Sequence, residues 1–165
     1  QAIMSKTELS DTSLHDLPTP PDKEQYGYTK AYINFEGKRI CLISAHLSPN
    51  SATNNASYRE QQMQWIIEDV ENEEYVILGG DFNCDRSEFE TLINAGFKMA
   101  NGSKKFGWNE TYNYSGYSDN ATTHGARCID NILVKGNMNI DTLDIERDPI
   151  VSDHLPLIVN ISFAN

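Results

Sequence analysis

The chain has 165 residues, 39% of them hydrophobic and 22% charged, which suits one globular domain with its own core. No apolar run approaches the ~20 residues that span a bilayer, so no membrane span is expected. Acidic residues outnumber basic ones 24 to 13 for a net charge of −11, and Lys and Arg never run beyond two in a row. That balance weighs against tight, sequence-independent binding of duplex DNA. It leaves phosphorylated substrates open, because a bound divalent cation supplies positive charge locally.

In chain order, residues 1–9 read as a strand. Residues 10–28, with Pro18, Pro20, Pro21 and Gly27, read as a loop or arm. Lys30–Phe35 and Arg39–Ala45 flank the turn signal Glu36-Gly37 and predict a β-hairpin. Ser57-x-x-Glu60 reads as a capping box opening a helix, along which Tyr58, Met63, Ile66, Ile67 and Val70 recur near a period of 3.6. Tyr75–Leu78 is a short buried strand running into Gly79-Gly80. Ser87-x-x-Glu90 reads as a second capping box, for a short helix that Gly96 ends. Residues 100–125 form a long polar loop whose Tyr112, Tyr114 and Tyr117 either pack it down or stack on a ligand ring. Trp65 is expected in the core. Ile129–Val134 and Leu157–Phe163 are strands, with a weaker one near Met138–Glu146. The pattern is α/β with mostly antiparallel connections.

Four segments share one feature: an apolar strand that ends in carboxylate, imidazole or carboxamide. They are Ile43–Leu47 with His46, Val76–Asn83 with Asp81 and Asn83, Arg127–Ile132 with Asp130, and Val151–Pro156 with Asp153 and His154. Taken singly, each has a structural explanation. His46 reads as an interior histidine, Asp81 as a turn cap, and Asp153-His154 as a turn before Pro156. Asp130 inside an apolar strand resists that treatment, because a buried carboxylate needs partners. Taken together, the set suits phosphoester cleavage. Hard oxygen ligands hold Mg²⁺ or a similar ion, and a histidine oriented by a carboxylate activates water.

The segments stand as AHL at 45–47, GDFN at 80–83, IDNI at 129–132 and SDHLP at 152–156. In order and spacing they resemble the endonuclease/exonuclease/phosphatase superfamily over nearly the whole chain. The resemblance implies a four-layer-type α/β sandwich with mostly antiparallel sheets, and hydrolysis of a phosphoester with Mg²⁺ or Mn²⁺. It implies catalytic roles for His46, Asp81, Asn83, Asp130 and His154. His154 would be the base that activates water and Asp130 its orienting carboxylate. Asp81 would position water or an ion, Asn83 would donate to the phosphate, and His46 would bind phosphate or serve the acid side. Asp153, Asp81 and Asn83 would be the metal ligands. Arg59 falls where members carry a structural arginine, and is expected to pack.

The departure is at the front. The family's N-terminal Asn and its principal metal-ligating Glu have no counterpart here, so residues 1–165 read as one domain lacking its N-terminal strands. The expected partner is a phosphorylated small molecule or a nucleic-acid substrate, with self-association through the uncovered sheet face as a further expectation. The alternative, from another class, is a catalytically incomplete remnant of the fold acting as a binding domain. Cys41, Cys84 and Cys128 lack metal-type spacing and read as free thiols of a reducing compartment, which favours a cytoplasmic setting.

Overall fold

The structure is a computed structural model that describes residues 1–21, 23–49, 56–109, 111, 128–146 and 152–164. Glu36 and Gly37 take positive φ (50° and 74°), the two-residue turn whose twist matches paired strands. There the chain folds back. β2 (Gly27–Phe35) pairs antiparallel with β3 (Lys38–His46), in register from Phe35↔Lys38 to Gly27↔His46. β1 (Ser10–Asp16) lies on the far edge of β2. Helix α1 (Ala56–Asp69) then crosses over, and the chain returns parallel to β3 as β4 (Val76–Asp81). A 3₁₀ turn (Arg86–Phe89) runs into α2 (Glu90–Asn94), followed by β5 (Lys98–Met99) and β6 (Asp130–Lys135). The strand order is β1-β2-β3-β4-β6-β5, and a second sheet pairs β7 (Met138–Ile145) with β8 (Leu157–Phe163).

The period-2 alternation of β3 sorts the core. Cys41, Ile43 and Ala45 face the helical side and join Met63, Ile66, Val70, Leu78 and Phe89 in the main cluster. Ile40 and Leu42 face the other way, with Tyr75, Val134, Met138, Ile161 and Phe163 between the two sheets. Helices therefore cover one face of the six-stranded sheet and the two-stranded sheet covers part of the other. The expected α/β sandwich with mostly antiparallel sheets is what the chain adopts, and the hairpin, the β4 strand and the three C-terminal strands fall where the sequence placed them. None of the three cysteines is in a disulfide.

Four local expectations are corrected. Residues 1–9 form no strand, and the edge strand is Ser10–Asp16 instead. Its residues are mostly polar and Leu14 is 82% exposed, so no apolar stripe marks it. Backbone pairing to β2 and a stack of His15 on Tyr28, 4.6 Å between centroids, hold it in place. Ser57 lies inside the first turn of α1 rather than before it. The second box sits two residues early, with Asp85 as the N-cap of the 3₁₀ turn, and the Asp85 N–H donates to Glu88 Oε1 at 2.9 Å. Trp65 is 52% exposed. At 100° per residue it falls outside the stripe of Arg59, Gln62, Met63 and Ile66 that α1 buries. Tyr112, Tyr114 and Tyr117 lie outside the described residues.

Candidate active site

Strand register assembles the site. Parallel pairing of β3 with β4 sets His46 opposite Asp81, and antiparallel pairing of β4 with β6 sets Asp81 opposite Asp130. An imidazole and two carboxylates thus stand side by side in one row at the ends of three neighbouring interior strands. Gly80 makes the row possible. Its φ is +147°, and a Cβ there would run into the Ala45 carbonyl of the neighbouring strand, so β3 and β4 approach closely just before His46 and Asp81.

His154 closes the row from the segment before β8. Its Nδ1 lies 3.0 Å from Asp130 Oδ2 and 3.1 Å from Oδ1. Its Nε2 is 3.8 Å from Asp81 Oδ2, and His46 Nε2 approaches the same oxygen at 3.5 Å. With Asp130 ionised, Nδ1 carries the proton and donates it to the carboxylate. In the neutral ring Nε2 is then the nitrogen able to take a proton, and it lies on the Asp81 side.

Asn83 braces Asp81. It sits at φ 51°, a left-handed conformation that Asn tolerates. Its backbone N–H donates to Asp81 Oδ1 at 2.8 Å. Its Nδ2 donates to Asp81 Oδ2 at 3.2 Å and to the Leu47 carbonyl at 3.0 Å. Arg59, expected to pack, is buried and joins the segment after β3 to the 3₁₀ turn. Its Nε and Nη2 reach the two Glu88 oxygens at 2.8 and 3.0 Å, and its Nη1 reaches the Ser48 carbonyl at 3.2 Å.

Burial, the largest influence, pushes the Asp130 carboxyl above the usual carboxylate range, and the negative charge of Asp81 adds to it. Hydrogen bonds from Thr111 and His154 and the charge of His154 oppose the rise. The site therefore holds a carboxylate that costs free energy to keep charged, a common signature of functional positions.

One ligand atom each from Asp81, Asp130 and His154 falls within 4.8 Å of the others, the group among the described residues able to hold a metal ion together. Two carboxylates suit a hard divalent cation, which takes one or two of them and completes its shell with water and substrate oxygens. Asp153, the expected metal ligand, is outside this group: its carboxylate is exposed and accepts from the Ser152 hydroxyl at 3.4 Å. Sequence reasoning missed two neighbours. Tyr26 sets its ring edge-on to His46, 5.7 Å between centroids. Thr111 is buried beneath Asp130. Neither lies in a motif, and both sit in stretches read as loops.

The profile of the Endonuclease/Exonuclease/phosphatase family matches residues 1–154. No curated protein sequence matches the chain at a significant level. Among solved structures, an endonuclease/exonuclease/phosphatase from Beutenbergia cavernae superposes with a TM-score of 0.77 at 14% identity, over 98% of this chain and 47% of that one. A D. rerio TDP2 complexed with single-strand DNA product gives 0.73 at 16% identity, over 94% and 68%. A 3′ phosphatase, NExo, from Neisseria bound to a product DNA hairpin gives 0.71 at 17%, over 96% and 73%. The chain thus spans about half to three quarters of the length of these structures, and at such identities they speak to the fold alone. With the profile running over most of its length, the chain belongs to the endonuclease/exonuclease/phosphatase family.

Proposed function

We propose that the protein hydrolyses phosphoesters with the help of Mg²⁺ or Mn²⁺, using His154 as the base that activates water. The observation that carries the reading is the orientation of His154, clamped through Nδ1 by Asp130 so that Nε2 faces Asp81. In this reading Asp130 fixes the imidazole tautomer and stabilises the imidazolium as the proton arrives. Asp81 positions the attacking water or an ion. Asn83 holds the Asp81 carboxylate in place, and His46 stands on the opposite side to receive a phosphate oxygen or protonate the leaving group. A cation bound beside Asp81 would polarise the phosphoryl group and shield its charge.

The substrate class follows from charge and kinship. One structural neighbour is complexed with single-strand DNA product and another, a 3′ phosphatase, with a product DNA hairpin, and the net charge of −11 disfavours broad contact with duplex. Small phosphodiesters and single-stranded ends are therefore the proposed substrates. A panel of phosphomonoesters, phosphodiesters and single-stranded oligonucleotides, assayed with Mg²⁺ and with Mn²⁺, tests the reading. Turnover of at least one is expected, and turnover of none contradicts it.

The reading includes self-association. A groove of about 750 Å³ between the two sheets is lined by Ile33, Phe35, Ile40, Ile77, Met138 and Phe163. Among the described residues the second sheet has two strands, too few for independent stability. A second copy seated on that groove would double the apparent mass in light scattering, and a monomer at high concentration would contradict it.

A further inference from the structure

We propose that Thr111 is a positioning residue for the Asp130–His154 pair, fixing both partners at once from beneath. It stands nineteen residues before Asp130 and forty-three before His154 in sequence, yet holds the backbone of both segments. The Thr111 hydroxyl oxygen accepts the N–H of Ile129 at 3.1 Å and of Asp130 at 3.0 Å, where β6 begins. Its carbonyl accepts the N–H of Leu155, the residue after His154, at 2.7 Å. Thr111 is wholly buried, so water cannot substitute for either oxygen. Oγ1 therefore uses both of its acceptor positions on the two amides where β6 begins.

Thr111 is itself held from the N-terminal side. Asn101 grips Asn109 through paired bonds: Asn109 N–H to Asn101 Oδ1 at 2.8 Å, and Asn101 Nδ2 to the Asn109 carbonyl at 2.9 Å. Asn131, next to Asp130 on β6, grips Asn101 in the same way, accepting its N–H at 3.0 Å and donating to its carbonyl at 2.7 Å. The relay begins and ends on β6. A displacement of Thr111 would shift Asp130 along its strand and move the His154 segment with it, lengthening the 3.0 Å contact that sets the imidazole tautomer.

The inference rests on the hydrolase reading only for what the pair does, and its test separates the two. Thr111→Val keeps the branched shape and removes the hydroxyl, while Thr111→Ser keeps the hydroxyl. In the metal-free protein, ¹⁵N spectra of the His154 ring should show the Nδ1–H form in wild type and Thr111→Ser, and a mixture of tautomers in Thr111→Val. In the Mg²⁺-loaded protein, kcat should fall roughly 10–100-fold in Thr111→Val with KM little changed, and be rescued in Thr111→Ser. Hydrogen exchange in wild type should show the Leu155 amide protected together with those of Ile129 and Asp130. A Thr111→Val protein with wild-type His154 spectra, or a Leu155 amide that exchanges freely in wild type, would overturn the proposal. Should Thr111→Val fail to fold, the Leu155 exchange decides. A wild type that hydrolyses nothing counts against the hydrolase reading, and the spectra and exchange still decide the role of Thr111.

Discussion

His154 Nδ1 and Asp130 Oδ2 stand 3.0 Å apart although 24 residues separate them in sequence. A contact of that length between an imidazole and a largely buried carboxylate fixes which nitrogen holds the proton. Replacing His154 with Ala should lower kcat by about 10²–10⁴-fold, the usual worth of a positioned base. Asp130→Asn should do so through the wrong tautomer. Because His154 is a third exposed and lies at a strand end, His154→Ala should melt within a few degrees of wild type. Steady-state kinetics beside thermal denaturation check both, and a kinetically normal His154→Ala would remove the base from the mechanism.

Gly80 is expected to tolerate no side chain. Gly80→Ala would drive its Cβ into the Ala45 carbonyl and force β3 from β4 at the point where His46 and Asp81 align. Stability and activity should fall together, more than the ~1 kcal/mol typical of a point substitution. A stable, active Gly80→Ala would show that the two strands have slack there.

Arg59 should prove a structural residue. Its guanidinium is buried and paired bidentately with Glu88, so Arg59→Ala leaves a carboxylate without its partner and should cost about 3–5 kcal/mol. Arg59→Lys should recover little, because an ammonium lacks the planar fork. Urea denaturation measures this, and a loss below about 1 kcal/mol would count the pair as incidental.

Asp69 sets an expectation for acid. Burial is the largest single influence on it and raises its pKa. The Lys30 ammonium at 2.7 Å and the Tyr28 hydroxyl at 2.8 Å together outweigh that, and the net shift is downward. A carboxyl depressed on folding contributes stability that is fully present above its unfolded value, about 3.9. That stability is lost as pH falls through the folded value. Asp69→Asn should therefore lower stability at neutral pH and flatten its decline below about pH 4. Parallel curves for the two proteins in acid would contradict this.

Legibility followed apolar patterning. The hairpin and the strand into Gly79-Gly80 were readable because alternation and turn chemistry agree there. His46, Asp81, Asn83, Asp130 and His154 were readable because each interrupts an apolar run at a strand end, and the structure gathers them into one cluster. β1 was not readable, since its residues pair through backbone and bury almost nothing. Thr111 was not, because its work is done by one hydroxyl and one carbonyl in a segment with no periodicity. Asp153 was set among the metal ligands on the resemblance alone, and its exposed carboxylate stands apart from Asp81, Asp130 and His154.

The central claim is tested most directly by the rate at which the wild-type chain and His154→Ala hydrolyse their best phosphoester, each with Mg²⁺ and with EDTA. The account predicts that the wild type turns over with Mg²⁺, that EDTA removes the activity, and that His154→Ala with Mg²⁺ falls by about 10²–10⁴-fold. Hydrolysis that survives EDTA, or equal rates for the two proteins, would contradict it.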